Sequence, residues 1–599
     1  MPEKCKYKHR YMDLDSDEIK TYECDEDAVK DDFCIFHHPE YWKKHKDEVR
    51  KKFMEKVEDA INNKKSLFCI GYNLPNINLS KKKFEAPVYF TNAIFHEEAN
   101  FYGTTFSSSA DFSEVTFSSV AHFFKTTFSS RADFFKAAFS SSAYFSEVTF
   151  SSVAYFFKTT FSSSADFSGV TFSSGAEFDE ATFSSRANFS GAKFSEADFS
   201  GVKFSEAYFC DATFSGAVEF DEVKFRGQVL FNHTTFLDAV SFVHSDFSPD
   251  VLEKSLDPSN CISFKHANFE RQERVVFDGC NMERVSFICT DLGRVKFRNV
   301  KWKNFKIYDE KLFLLKESKE ERGNFLKDEK RKLNEILDKI SKVSIEKISE
   351  VLEGKREADE IEKEIIKVLA LRIPELKEII EINWLINGLE SKKERSEREE
   401  AILSELLKER KNIQDKIQDK IPDKIKDQID EVKREVEEAM GKSDKEIEEN
   451  IVHVIEKDED LTLDNVLAVY RALRENYDYY LRYDESGKFF VNEMRLKKRF
   501  SNPVEKIIMS AYELLCLYGE SYTRTIFWIL ATISLFALAR LYMNAPIDSL
   551  DSLKISTAAF FQLYYNSDLL TFTERLISIP ILGSLYISLK RKLERRIRH

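Results

Sequence analysis

From Phe84 onward a Phe returns every five or six residues, through Phe90, Phe95, Phe101, Phe106, Phe112, Phe117, Phe123 and Phe128, and the ladder continues to Phe247. Between Phe101 and Phe189 the steps alternate between five and six, giving an eleven-residue unit such as Ala110 to Val120, and from Phe189 to Phe214 they are all five. An amphipathic helix needs apolar offsets of three and four, and a strand needs two, so neither period explains this ladder. The chain must turn a corner at each step, which is the mark of a solenoid.

The residue two before each Phe is usually small, as at Ala110, Val115, Ala121, Ala132, Ala137, Ala143, Val148, Ala165, Ala176, Ala187 and Ala197. Phe and its small partner are expected to point inward together. Ser, Thr, Asp, Asn, Glu and Lys fill the outer positions, and the Ser after many of the Phe residues suits turn backbone. These units resemble those of the pentapeptide-repeat family, centred on Phe or Leu with a small residue two before. The resemblance covers Phe84 to Trp302 and implies a right-handed, four-sided β-helix with one unit per side. A break at Ser248 to Ser263, with two Pro, interrupts it before Phe264, Phe269, Phe277, Met282, Phe287, Leu292, Phe297 and Trp302 resume. At about 4.8 Å per coil the rod would be about 50 Å long. The sixth residue of many units departs from the family pattern, and a bulge at a corner would absorb it. Both ends of such a rod expose strand edges and Phe rings, so caps are required.

The 599 residues are 43% apolar and 32% charged, enough for three to five domains. The expected division is a Cys/His module at 1–40, a helical cap at 41–83, the β-helix at 84–305, a charged helical arm at 306–460, a helical hairpin linker at 461–515 and a two-span domain at 516–599. A net charge of −13 argues against a general nucleic-acid binder, although Lys590 to His599 is strongly basic. Scattered cysteines and the lack of a leader before the first module point to a reducing, cytoplasmic setting for the rod.

Cys5, Cys24, Cys34 and His37 supply three thiols and an imidazole, a donor set that satisfies tetrahedral zinc. About forty charged residues cannot build a core alone, so a structural Zn²⁺ would supply folding energy. Reduced thiols without metal are the other reading, and His38 competes with His37. The segment resembles short Cys/His caps that precede pentapeptide rods in some prokaryotic proteins. Glu40 to Asn63 reads as an amphipathic helix leading into the rod.

From about Glu310 to Lys457 the chain is rich in Lys, Glu, Ile and Leu, and Ile413, Ile417, Ile421, Ile425 and Ile429 recur every four residues. That predicts a helical, coiled-coil arm with a break at Pro422.

Thr525 to Ala539 carries no charge, and the run to Met543 is broken only by Arg540. At 1.5 Å per residue it spans about 28 Å, enough for a bilayer, with Arg524 and Arg540 placed to snorkel at its ends. Leu576 to Leu589 is a shorter second run. Basic residues precede the first run and follow the second, while Asp548, Asp551 and Asp568 lie between, so a hairpin with both termini cytoplasmic is expected. Ile555 to Tyr565 between them suits a re-entrant helix.

That plan is similar to a two-span potassium-channel pore. Tyr470 to Tyr477, Phe489 to Arg495 and Leu517 to Glu520 resemble the juncture of prokaryotic proteins that join pentapeptide repeats to an ion-channel-like pore, which implies a helical hairpin between rod and membrane. Asn566 to Thr573 stands where a Gly-bearing filter would lie, and no Gly occurs from 520 to 582, so selective potassium conduction is not expected.

The expected function is therefore a membrane-anchored scaffold or sensor with an unidentified protein partner. A poorly selective channel, built from several copies of the chain, is the alternative. A DNA mimic is a third, but residues 101–250 hold only 18 acids against 9 bases. No hydrolase, zincin or dinucleotide motif occurs, so neither catalytic nor cofactor-binding residues are expected.

Overall fold

The computed structural model describes residues 3–14, 16–247, 261–342, 443–543, 548–564 and 568–597, with residue 566 and scattered positions between 404 and 441. It divides into two units, residues 1–248, 261–313 and 459–599 in one and residues 249–260 and 314–458 in the other.

The Phe ladder is a β-solenoid of about ten turns. Each turn carries four short strands, for example Thr105–Phe106, Ala110–Asp111, Thr116–Phe117 and Ala121–His122, and each pairs in parallel with the strand twenty-two residues further on. The rings therefore form four columns. Phe123 stacks on Phe145 and Phe145 on Phe167, with centroids 4.7 and 4.8 Å apart, while neighbouring columns meet edge to face, as between Phe112 and Phe123. Quadrupole complementarity favours both geometries, worth about 0.5–1.5 kcal/mol per pair beyond burial.

The eleven-residue unit is half a turn because its two corners differ. At the tight corner, Phe112 to Val115, the Val115 amide donates to the Phe112 carbonyl and Glu114 takes φ 57°. The same left-handed residue recurs at Lys125, Lys136, Glu147 and Lys158. The six-residue sides form the open corners. Their extra residue is absorbed in register while six-residue sides stack on one another. The register shifts between Phe172 and Gly175 and between Phe183 and Arg186, where six-residue sides meet five-residue ones. Where the longer side returns, Gly216 and Gly227 are required, since a Cβ there would lie 2.2 and 2.3 Å from the Ser195 and Ser205 carbonyl oxygens.

The rod begins one coil earlier than the Phe pattern indicates. Leu67–Phe68, Asn73–Leu74 and Ile77–Asn78 already pair with the coil above, so the stretch before Phe84 is a helix only as far as Asn62. Cys69, Leu74 and Leu79 keep the five-residue step with smaller buried side chains in place of Phe. Across the break, Phe231 stacks on Phe264 at 4.8 Å and Val229 pairs with Ile262, so the coil takes thirty-three residues there without dislocating the columns.

Both ends are capped. At the start, an antiparallel hairpin of β1 (Lys8–Asp13) and β2 (Glu18–Glu23) packs Tyr11 and Leu14 against Ile70 and Tyr89, and α1 (Lys46–Asn62) buries Val49, Phe53, Val57 and Ala60. After the last coil come α2 (Tyr308–Glu317), α3 (Lys319–Lys342), α4 (Asp444–Glu456), α5 (Leu463–Tyr479) and α6 (Tyr483–Phe500). The α5–α6 hairpin closes the rod by satisfying its open carbonyls. Asn476 Nδ2 donates to Leu292 and Val295 at 2.7 Å, Arg482 to Phe297 at 2.8 Å, and Asn492 to Asn304 and Phe305. Buried edge carbonyls left without such donors would each cost about 1–3 kcal/mol.

In the second unit, α3 and α4 are joined by Arg322 to Glu448 at 3.2 Å. Ile413, Ile417, Ile421, Pro422 and Ile425, which carry the coiled-coil expectation, lie outside the described residues.

The chain ends in α7 (Pro503–Cys516), α8 (Tyr522–Met543), α9 (Ser549–Phe560) and α10 (Leu569–Ile597). By length and composition, α8 and the Leu569–Glu594 part of α10 could each cross a bilayer.

Candidate functional site

The N-terminal residues singled out as ligands converge. Cys5 and Cys24 flank the β1–β2 hairpin, Cys34 and His37 share the turn that follows, and the four ligand atoms all lie within 4.8 Å of one another in a buried cluster. Cys24 Sγ and Cys34 Sγ are 3.8 Å apart, and His37 Nδ1 is 3.1 Å from Cys34 Sγ and 3.5 Å from Cys5 Sγ. A tetrahedral zinc with ordinary bond lengths sets S···S near 3.8 Å and S···N near 3.5 Å, which the Cys24–Cys34 and Cys5–His37 separations match while the Cys34–His37 one is shorter. His37 Nε2 donates to the Ile70 carbonyl at 2.9 Å, which leaves the Nδ1 lone pair facing the thiols. His38 is engaged elsewhere, with Nε2 on Asp31 and Nδ1 accepting from the Glu40 amide. The hydrogen bond from Cys34 and the nearby His37 pull the Cys24 thiol down to about 4, while the same partnership pushes Cys34 up.

Because Ile70 belongs to the first coil, the imidazole ties this cluster to the rod. Tyr7 stacks on His37 at 3.9 Å, and its hydroxyl sits over Gly71, where a Cβ would come within 2.0 Å. Among the described residues, two other groupings bring metal-type donors together. Lys265 already takes the Asp460 carboxylate at 2.8 Å beside His266 and Cys289. Glu177, Asp179 and Asp198 sit on the rod wall, where burial and then Asp198 push Asp179 up to about 6.

The C-terminal helices contain a polar cluster that the sequence reading missed. Arg540 was expected to snorkel at the end of its span, but it is only 3% exposed and pairs inward with Glu574, which is fully buried, at 2.6 Å. Arg540 also donates to Ser556 on α9 at 3.1 Å and to Thr571 on α10 at 3.0 Å. A guanidinium held by Ser556, Thr571 and Glu574, with Asp568 at 3.5 Å, has no reason to reach for solvent. The pairing also explains why the second apolar run looked short. Glu574 and Arg575 bound it in sequence, but Glu574 is neutralised by Arg540 and Arg575 hydrogen-bonds Gln562 at 2.9 Å, so α10 begins at Leu569. A hint was available in the opposite charges of Arg540 and Glu574, one at the edge of each apolar run.

Leu569 to Thr573, in the stretch compared with a channel filter, is already the first turn of α10. Helical backbone there does not form an extended carbonyl-lined strand. Phe560, at the end of α9, packs with Ile529 and Ile533 of α8 and Ile581 of α10.

Comparison with known proteins supports the reading of the rod. A family model for pentapeptide repeats, nine copies long, matches residues 134–182, 178–224 and 211–251. The uncharacterized protein MJ1147 of Methanocaldococcus jannaschii is 31% identical over 180 residues, covering 27% of this chain and 39% of that protein. The chain thus spans well under half the length of that relative. With four inward Phe columns, small partners and matching repeats, the solenoid is a pentapeptide-repeat β-solenoid.

Proposed function

We propose that the protein is a membrane-anchored, non-enzymatic scaffold or sensor whose capped pentapeptide-repeat rod is presented to a protein partner from the cytoplasmic face. The observation that carries the membrane part is the orientation of side chains in α8 and α10. Leu530, Leu535, Leu538, Phe572 and Tyr586 face outward while Arg540, Glu574, Ser556 and Ser578 are buried. A water-soluble domain rarely exposes a contiguous apolar surface of this kind, whereas lipid rewards it. In this reading Cys5, Cys24, Cys34 and His37 hold one structural Zn²⁺ that locks the N-terminal cap onto the first coil.

A cysteine replacing exposed Ser549, in a background where the exposed Cys289 is Ser, tests the topology. An impermeant thiol reagent outside intact cells should reach it and should not reach a cysteine at Lys592. Labelling of both from outside would refute a hairpin with cytoplasmic termini, and labelling of both only after lysis would refute the spans. A poorly selective channel is the second reading, favoured by the placement of α9 between α8 and α10. Purified full chain in planar bilayers separates the two, since the scaffold reading expects no current.

A further inference from the structure

Between the rod cap and the first candidate span, α7 has two opposed apolar faces. Met509 and Cys516 face the protein, and Glu513 on the same side is clamped by Arg495 at 2.7 Å and Lys498 at 2.6 Å of α6. On the other side, Val504, Ile507, Ile508 and Leu514 form a stripe at helical spacing that is more than half exposed, with Ile507 72% and Ile508 63% exposed. Four bulky aliphatic side chains in a fourteen-residue helix are costly in water.

The stripe continues into the membrane-facing surface. Trp528, early in α8, donates its indole N–H to the Leu514 carbonyl at 3.0 Å, and Thr525 Oγ1 bonds the Leu515 carbonyl at 3.3 Å. Three successive left-handed residues, Leu517 (φ 51°), Tyr518 (φ 57°) and Gly519 (φ 87°), stop α7 and redirect the chain into α8 rather than prolonging one helix. Basic side chains gather at this end. Lys497, Lys506, Arg524, Lys590 and Lys592 are all exposed.

We propose that α7 is an interfacial helix, seated with its Val504–Leu514 stripe at the boundary of headgroups and acyl chains of an anionic leaflet, with the surrounding lysines and Arg524 meeting the lipid phosphates. This rests on the membrane reading of α8 and α10. Amphipathic helices with a basic border bind this layer through buried apolar area and attraction to anionic lipid together. The arrangement gives the rod a rigid mechanical link to the bilayer surface, because α6 both caps the last coil and grips α7 through Glu513.

The test uses the full chain reconstituted in vesicles of phosphatidylcholine with phosphatidylglycerol, carrying the photoreactive residue benzoylphenylalanine at Ile508, at Leu530 or at Glu147. Leu530 probes the span and Glu147 the aqueous wall of the rod. Lipid adducts at Ile508 and Leu530 but not at Glu147 are expected, with the Ile508 yield falling severalfold when phosphatidylglycerol is left out and the Leu530 yield unchanged. Adducts at Leu530 without any at Ile508 would overturn the interfacial helix and leave the spans standing. Loss of adducts at both would overturn the membrane reading itself. A covalent dimer at Ile508 would assign the stripe to a second copy of the chain, and an Ile508 yield indifferent to phosphatidylglycerol would remove the anionic-lipid part.

Discussion

In the rod the bulkiest apolar side chains are inside and the hydroxyls and charges outside. Phe112, Phe123, Phe145 and Phe167 are fully buried, whereas Glu114, Lys125 and Glu147 line the corners in water. In α8 to α10 the separation is weaker. Leu535, Leu538 and Phe572 look outward, and the interior holds Arg540, Glu574, Thr571, Ser552 and Ser588 beside the apolar cluster of Ile529, Ile533, Phe560 and Ile581. On the proposed membrane reading, the same chain meets two different solvents. Where water is the surroundings, burying rings is the dominant gain. Where the surroundings are apolar there is no such gain between helices, and association falls to close packing and interior polar contacts. The few polar groups inside the rod obey the first rule, since Thr104, Thr126, Thr159 and Thr234 each donate to a carbonyl of the preceding coil at 2.6–2.7 Å.

The largest test of this contrast pairs Phe145→Asp with Leu535→Asn. An aspartate inside a ring column should cost about 4 kcal/mol or more and open neighbouring coils to protease. Asparagine at exposed Leu535 should shift the detergent-solubilised fold by about 0.5 kcal/mol or less. Thermal unfolding followed by limited proteolysis measures both, and equal costs would break the comparison.

Next in size is the interior of the helices. Arg540→Met should destabilise by about 3–5 kcal/mol, because it leaves a buried carboxylate unpaired, and Arg540→Met with Glu574→Leu should recover most of that loss. Thermal scans in detergent check it. A harmless single variant would mean that the pair is not buried in the folded protein.

The N-terminal cap comes third. Metal analysis of the full chain should find one zinc, lost on Cys34→Ser. At a hundredfold excess of free zinc over its dissociation constant, the ion should stabilise the cap by about 3 kcal/mol. Wild-type protein without metal would leave the four donors as a reduced thiol cluster.

The smallest effect lies on the rod wall. Burial pushes the Asp111 carboxyl up from 3.8 to about 6, against the hydrogen bonds from Ser113 and Thr91. A raised acid binds its proton more tightly folded than unfolded, so this group favours the fold below about pH 4 and that contribution is lost as pH rises through about 6. Asp111→Asn, a residue type that Asn100 and Asn188 already place at equivalent sites, should flatten that slope and change stability at pH 7 by about 1 kcal/mol. Unfolding curves at pH 4 and pH 7 decide it.

What was legible in the sequence follows from the same contrast. The Phe period displayed the rod because every column repeats one bulky residue at a fixed step. The first coil was hidden because Cys69, Leu74 and Leu79 keep the step without the residue. Small partners were read as Ala and Val, yet Thr104 and its counterparts fill the same position two before Phe, legal only because a carbonyl of the coil below accepts their hydroxyl. The four metal-type donors were visible as residues, but the choice of His37 over His38 depends on Ile70, thirty-three positions away. The Arg540–Glu574 pair was illegible to hydropathy, which penalises each charge separately and cannot see that they meet. Asn476 and Asn492 lie within the Tyr470 to Tyr477 and Phe489 to Arg495 segments read as a hairpin juncture, but their capping role was not visible, since any donor of the right reach would serve a strand-edge carbonyl.

The proposed function requires that lipid meets the outward apolar surface of α8 and α10. Alkaline carbonate extraction of membranes from cells making the full chain tests it most directly, because that treatment strips proteins held by surface contacts and leaves those whose helices are embedded. The full chain should stay with the membrane pellet and be released only by detergent. Its appearance in the carbonate supernatant as a folded, soluble particle would overturn the membrane anchoring on which the proposed function rests.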